Sequence, residues 1–426
     1  MRATFTISAT PASGLALPGL RIGIVLALLL VIHVLAHVDR SLLAAFAPQI
    51  SNELHLSDSQ YGLLVGAVFT ICYALTAPVM GSLADRIARP RLIAGAIVVW
   101  SVCTAATGLT ANFLQMSVVR AFVAIGEATL VPAATALIAD LVPERWRGAA
   151  IGTFFMGIPI GTGTSFAISS IGASQVGWRG CYFLLGAIGL VLAALIASIR
   201  DQGRRKSHSN AHGSFAGFRE VAKAMRDGSP LPIVLAGIVM LHVYFAGLYF
   251  AQLWLVRERG FDQGHIAGIF GVLLILFGCL GALVGGALGD LVASFLRAGR
   301  AWFLVALIVL LAPVMVAYRV VDPSSPLFFV GMSAGFFFST AFYGPAFALL
   351  QDATPPHLRS TVTGVAMMLV NVFAIGLGSF VVGAAGEELA TFTASPLTDV
   401  LIAVDLVVAA GALLFATVAI RGAHQS

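Results

Sequence analysis

The chain has 426 residues, 59% of them hydrophobic and only 10% charged, with a mean hydropathy of +0.97. Soluble domains carry about 25% charged residues, so the balance excludes one and defines an integral membrane protein. A net charge of +5 would suit a nucleic-acid binder. The basic residues, however, fall in short loops between apolar runs and not on one face with aromatics, so no nucleic-acid partner is expected.

Taken in order, residues 1–20 form a Ser/Thr/Ala/Pro-rich tail that ends before Arg21. The apolar run that follows is too long for a signal peptide and contains Asp39 and Arg40, which predicts a retained first span. A span needs about 20 apolar residues. Twelve runs qualify, at about 21–48, 59–84, 90–110, 112–141, 146–171, 178–199, 231–256, 263–290, 299–318, 325–351, 358–385 and 396–420. They are too long and too unalternating for barrel strands, so the fold class is an all-α, twelve-helix membrane protein.

Arg86, Arg89, Arg91, Arg145, Arg147, Arg200, Arg297, Arg300, Arg359 and Arg421 fall on one side, against Arg179, Arg257, Arg259 and Arg319 on the other. Positive charge marks the cytoplasmic side. Both termini are therefore expected in the cytoplasm and the chain in the inner (plasma) membrane. Residues 200–230 are polar and split the spans into a bundle at 21–199 and another at 231–420, with a short tail at 421–426. Within the linker, Phe215, Phe218, Val221 and Met225 have helical spacing, which predicts a helix lying under the cytoplasmic leaflet.

The halves repeat. Asp140 and Asp352, Arg147 and Arg359, and Gly152 and Gly364 are each 212 positions apart, and Gly81–Asp85 is echoed at Gly286–Asp290. Duplicated six-helix halves are the architecture of alternating-access transporters, with the site between them near the midplane.

Ionisable residues inside spans cost at least ~2.5 kcal/mol each and normally face a partner or a watery cavity. Span four carries Arg120 and Glu127, two turns apart on one face. Asp39 falls between them in depth, so an Asp39–Arg120–Glu127 cluster is expected if spans one and four face each other. Protonation of Asp39 or Glu127 would then free Arg120; the alternative is a permanent structural ion pair. His33 and His37 share a face near Asp39 and either relay protons or hydrogen-bond within the bundle. His242 reads as a core residue, and Asp405 has no evident partner.

The 212 offset sets Ser339 opposite Glu127 and Met332 opposite Arg120, so the second half has no matching charges. Span ten is instead aromatic, with Phe336, Phe337, Phe338, Phe342, Tyr343 and Phe347. A charged wall facing a greasy one suits an amphiphile. Its cavity candidates are Tyr73, Trp254, Phe338, Phe342 and Tyr343, although the consecutive run turns one or two Phe toward lipid. The four cysteines lie in apolar runs without metal-ligand spacing, and no P-loop, HExxH or GxSxG is present. No metal, no cofactor and no enzymatic chemistry are expected; energy must come from gradients.

The loop after span two, GSLADRIARPR, resembles the G-x-L-x-D-R-x-x-R-[RK] signature of the Major Facilitator Superfamily through Gly81, Leu83, Asp85, Arg86 and Arg89, with Pro90 at the last position. The resemblance implies a cytoplasmic gate, to which Asp140 and Arg147 are added, with a weaker second copy because Leu291 replaces the arginine. A finer resemblance is to the Spinster transporters. It rests on HVDRSLLAAFAPQI at 37–50, the R-x3-A-x-G-E-A of Arg120–Ala128, and MGIPIGTG at 156–163. It implies a monomeric carrier of lysophospholipid or sphingosine-phosphate-like substrates, coupled to protons through Asp39, Arg40, Arg120, Glu127, His37 and His33. Organic-anion and drug carriers of the same superfamily share the layout.

Overall fold

The computed structural model describes residues 16–84, 87–142, 150, 153–199, 225, 229–354 and 359–424. Among them, twelve helices are long and apolar enough to cross a membrane, and no strand occurs. They are α1 (Ile22–Ala45), α2 (Asp58–Ala77), α3 (Arg89–Thr107), α4 (Phe113–Thr135), α5 (Thr153–Gly172), α6 (Gly177–Ala197), α7 (Leu231–Arg257), α8 (Gln263–Phe295), α9 (Gly299–Val320), α10 (Pro326–Asp352), α11 (Val362–Leu389) and α12 (Pro396–Gly422). The linker segment expected to form an interfacial helix, and the gate residues Asp85, Arg86 and Arg147, lie outside the described residues.

The duplication is visible in the backbone. Helix α4 is interrupted at Ala128 and Thr129 before continuing as Leu130–Leu141, and α10 is interrupted at Phe342 before Tyr343–Asp352. Pro132 and Pro345 lack the N–H that would bond four residues back, at Ala128 and Ala341. Each helix therefore bends at the same place for the same reason. Helix α1 also ends earlier than expected, at Ala45. Phe46 breaks it, and Pro48 opens a short helix, Ala47–Glu53.

Two segments are wound more loosely than an α-helix, Leu63–Val68 in α2 and Val370–Leu377 in α11, both π-helical. They pack against each other and join the halves. The halves also meet along α5 and α8, where a side chain at Gly271 would stand 2.6 Å from the Gly163 carbonyl. Nearer the basic face the same pair separates to 3.9 Å between a Cβ at Gly278 and Pro159.

The face carrying Arg89, Arg300 and the end of α12 is called the basic face, and the opposite one the far face. On the basic face, the ion pairs among described residues include Arg89 with Asp140, and Arg300 with Asp352 at 2.6 Å and Asp290 at 3.0 Å. The expected weaker second latch has its own arginine, Arg300, which stands 211 positions after Arg89. On the far face, Glu258 accepts from the N–H groups of Leu397 and Thr398 and from the Thr398 hydroxyl, at 2.7–2.8 Å, and so caps the start of α12. Glu258→Ala is expected to cost about 1–2 kcal/mol, the loss of a good N-cap, read as a lower unfolding midpoint in detergent.

Glu53 receives Trp178 Nε1 at 2.6 Å and Arg179 Nε at 3.0 Å. The Trp178 bond, with Arg179 added, holds its carboxyl below the usual range. A depressed folded pKa contributes stability above the unfolded value and loses it as pH falls through the folded one. The pair is exposed, so Glu53→Gln is expected to remove at most about 1 kcal/mol at neutral pH and nothing in strong acid.

Candidate functional site

Four charges from α1 and α4 meet inside the first half. Asp39 and Arg120 are each 1% exposed and Glu127 is 2% exposed. The side chain of Arg40 retains 26% exposure. Arg120 Nη1 donates to Asp39 Oδ1 and to the Asp39 carbonyl, both at 3.4 Å, and its Nη2 donates to the Arg40 carbonyl. Thr104 of α3 donates its hydroxyl to Asp39 Oδ2 at 2.8 Å. Arg40 Nη2 donates to Glu127 Oε2 at 2.9 Å.

Asp39, Arg120 and Glu127 lie together as expected from their depths, with Arg40 as a fourth member: the ion pairs are Glu127 with Arg40 and Arg120 with Asp39. Seven residues of helix place Arg120 and Glu127 about 10 Å apart along α4, so each takes a different residue of α1 as its ion-pair partner. Consecutive residues on α1 diverge by about 100°, which sends Asp39 toward one turn of α4 and Arg40 toward another. The Arg40 guanidinium lies over Phe69 at 4.3 Å and over Tyr73 at 5.2 Å, which sets Tyr73 beside the quartet. The quartet is not saturated. Glu127 Oε1, Arg40 Nε and Arg120 Nε are buried without hydrogen-bond partners, leaving acceptor and donor capacity beside an accessible cation.

His33 takes the bundle role. Its Nδ1 is 2.8 Å from the Phe154 carbonyl, and its ring stacks on Phe154 at 4.1 Å. His37 meets His33 edge-on at 4.8 Å. The close approach of α5 to α1 depends on Gly161, where a Cβ would stand 2.5 Å from the Val34 carbonyl and 2.6 Å from His37 Cβ. Gly161→Val is expected to destabilise by about 1–3 kcal/mol through overpacking, measured by thermal unfolding in detergent.

Most of the aromatics expected at the cavity pack against neighbours inside the second half. Phe338, Phe342 and Trp254 are buried within the second half: Phe338 against Tyr244, Phe342 against His242, and Trp254 bonded to Thr398 at 2.8 Å. Tyr343 is half-buried beside His242 and Phe347. Phe337 and Phe347 are half-buried, and none of the six span-ten aromatics is exposed.

The second half is not chargeless either. Arg319, read from sequence as a loop residue, is 3% exposed and donates through Nε to Asp405 Oδ2 at 2.9 Å. Its guanidinium lies 4.4 Å from Tyr318 and 4.9 Å from Trp254. The signal was present in the lone Asp405 of span twelve, which demanded a cation at similar depth. The pair joins α9 to α12, away from the quartet.

Twelve spanning helices in duplicated halves, with buried ion pairs at the midplane of one, define a multi-pass membrane transporter. A model described as Major Facilitator Superfamily matches residues 29–379, and the chain belongs to that superfamily. It is 30% identical to an MFS-type efflux pump of Mycolicibacterium smegmatis over 85% of this chain and 83% of that protein. It is also 26% identical to Protein spinster of Drosophila melanogaster over 84% of this chain and 61% of that protein, and is a Spinster-like member of the superfamily. A solved bacterial homolog of the human lysosomal transporter Spinster, inward-facing and occupied, superposes with a TM-score of 0.79 at 22% identity, covering 94% of this chain and 97% of that one. These proteins are transporters and not enzymes.

Proposed function

We propose that the chain carries a lysophospholipid or sphingosine-phosphate-like amphiphile across the inner membrane by alternating access, coupled to protons, as a monomer with both ends cytoplasmic. The observation that carries this reading is Arg40, the one partly exposed member of a buried quartet, held by Glu127 and backed by Phe69 and Tyr73. An anionic headgroup docking on Arg40 competes with Glu127. A carboxylate stripped of its counter-charge in a low-dielectric site is neutralised by taking a proton, which links headgroup binding to proton uptake. The test is uptake into proteoliposomes under an imposed proton gradient. Gradient-driven accumulation of a fluorescent lysophospholipid supports the reading, and its absence overturns it.

A second reading, a proton-driven organic-anion or drug carrier, is favoured by the burial of Phe338, Phe342 and Trp254 inside the second half, which leaves less apolar wall for an acyl chain. The efflux-pump name of the mycobacterial relative agrees with it. Uptake of sugar acids or cationic drugs without the lysolipid would select this alternative.

A further inference from the structure

Charged residues of the far face join the two halves. Helix α2 begins at a capping box, in which Ser57 Oγ accepts from the Gln60 N–H and Gln60 Oε1 accepts from the Ser57 N–H, both at 3.2 Å. The box leaves the Ser59 N–H for another acceptor. It is taken at 2.6 Å by Glu387 Oε1, which comes from the end of α11 in the other half. The neighbouring Asp58 accepts from Arg257 Nη1 of α7 at 2.6 Å. One turn deeper, the fully buried Tyr61 donates its hydroxyl to the Tyr249 carbonyl at 2.7 Å, again across the halves.

The backbones are as close as the side chains. A Cβ at Gly383 of α11 would collide with the Asp58 carbonyl, and one at Gly62 of α2 would collide with the Ser379 carbonyl. Of the ion pairs among described residues, Asp58–Arg257 is the one that crosses from the first half to the second. On the basic face, Leu130–Leu141 of α4 and Tyr343–Asp352 of α10 pack chiefly against their own halves.

We propose that Glu387, Arg257 and Asp58 form a latch at the start of α2 that holds the far face shut and sets the fraction of molecules open at the basic face. Glu387 places negative charge on the N-terminal end of α2, where the helix dipole favours it. Arg257 neutralises the adjacent Asp58, so two carboxylates share the turn without mutual repulsion. All three are positioning residues, since none touches the quartet. Rocking the halves apart on the far face must break the Glu387, Arg257 and Tyr61 contacts together. The inference rests on the alternating-access reading, but its test requires no substrate.

The experiment is amide hydrogen exchange followed by mass spectrometry on the full chain in lipid nanodiscs. The variants are Glu387→Ala, Arg257→Ala and Gly383→Leu. Gly411→Ala serves as the control, because a Cβ there meets only Leu241 Cδ2 at 3.5 Å and Met240 Cβ at 3.7 Å, away from the latch. The latch variants are expected to speed exchange over residues 59–66 and 379–388 by about three- to tenfold, and to slow it over 130–141 and 343–352. A tenfold shift in population corresponds to about 1.4 kcal/mol, in keeping with a charge-assisted bond at a helix end. Glu387→Gln, which keeps the acceptor and loses the charge, should fall between. Unchanged far-face exchange in Glu387→Ala and Gly383→Leu overturns the proposal. So does acceleration on both faces, which marks general loosening in place of a shift between two forms.

Discussion

Arg120→Leu is expected to be the most destabilising single change in the first half, costing about 3–5 kcal/mol, because it breaks a buried ion pair by removing one partner. The substitution removes the ion-pair partner of Asp39, whose side chain is 2% exposed and would keep the Thr104 hydroxyl. It also frees the Asp39 and Arg40 carbonyls that Arg120 engages near the end of α1. The double variant Asp39→Asn/Arg120→Leu should recover most of the loss, since a buried ion pair replaced as a unit is often near neutral. Equilibrium unfolding in bicelles, read for the wild type, both single variants and the pair, gives the coupling directly. A single-variant cost below about 1 kcal/mol would mean that water reaches Asp39 and that the pair is not a buried one.

Glu127→Gln is expected to reduce gradient-driven uptake in proteoliposomes by at least about tenfold while leaving exchange without a gradient largely intact. The glutamine keeps an acceptor for Arg40 Nη2, so the geometry persists. It holds no proton to release and no charge to compete with an anionic headgroup. A charge-assisted hydrogen bond of about 1.5–3 kcal/mol is lost, which at 1.4 kcal/mol per decade amounts to a factor of ten or more in the competition for Arg40. Equal gradient-driven rates in the variant and the wild type would remove Glu127 from coupling and leave it a structural partner of Arg40.

The fold was largely legible in the chain. Span count, helix type and the duplicated halves follow from hydropathy and from the offset between Asp140 and Asp352, because a bilayer leaves a long apolar run little choice but a helix. The membership of the quartet was legible too, since four ionisable residues within apolar runs have few places to go. Their pairing was not. Sequence gives the depth of a residue along its own helix, but which turn of α4 faces Asp39 is set by how α1 and α4 cross, and the choice between Asp39 and Arg40 turns on a rotation of about 100°.

Arg319 was misplaced for a similar reason. Hydropathy set the end of span nine at 318, while α9 runs to Val320 and draws the arginine inside with Asp405. The packing of Phe338 and Phe342 was not legible either, because which face of span ten meets α7 is set by how the two helices cross and not by the spacing of the aromatics. The far-face contacts of Glu387 and Arg257 could not be read at all, because they join residues 328 and 199 positions apart in sequence.

The loosely wound turns of α2 and α11 bear on how such a molecule changes shape. A π turn slips one extra residue into the rod, so hydrogen bonds around it can be traded between neighbouring carbonyls without any being abandoned. Two such turns lie face to face where the halves touch. Each provides an elastic joint at the fulcrum, and the parts of the rod on either side can tilt separately. The body that swings is then shorter than a whole six-helix bundle, and local bending of α2 and α11 takes up part of the travel.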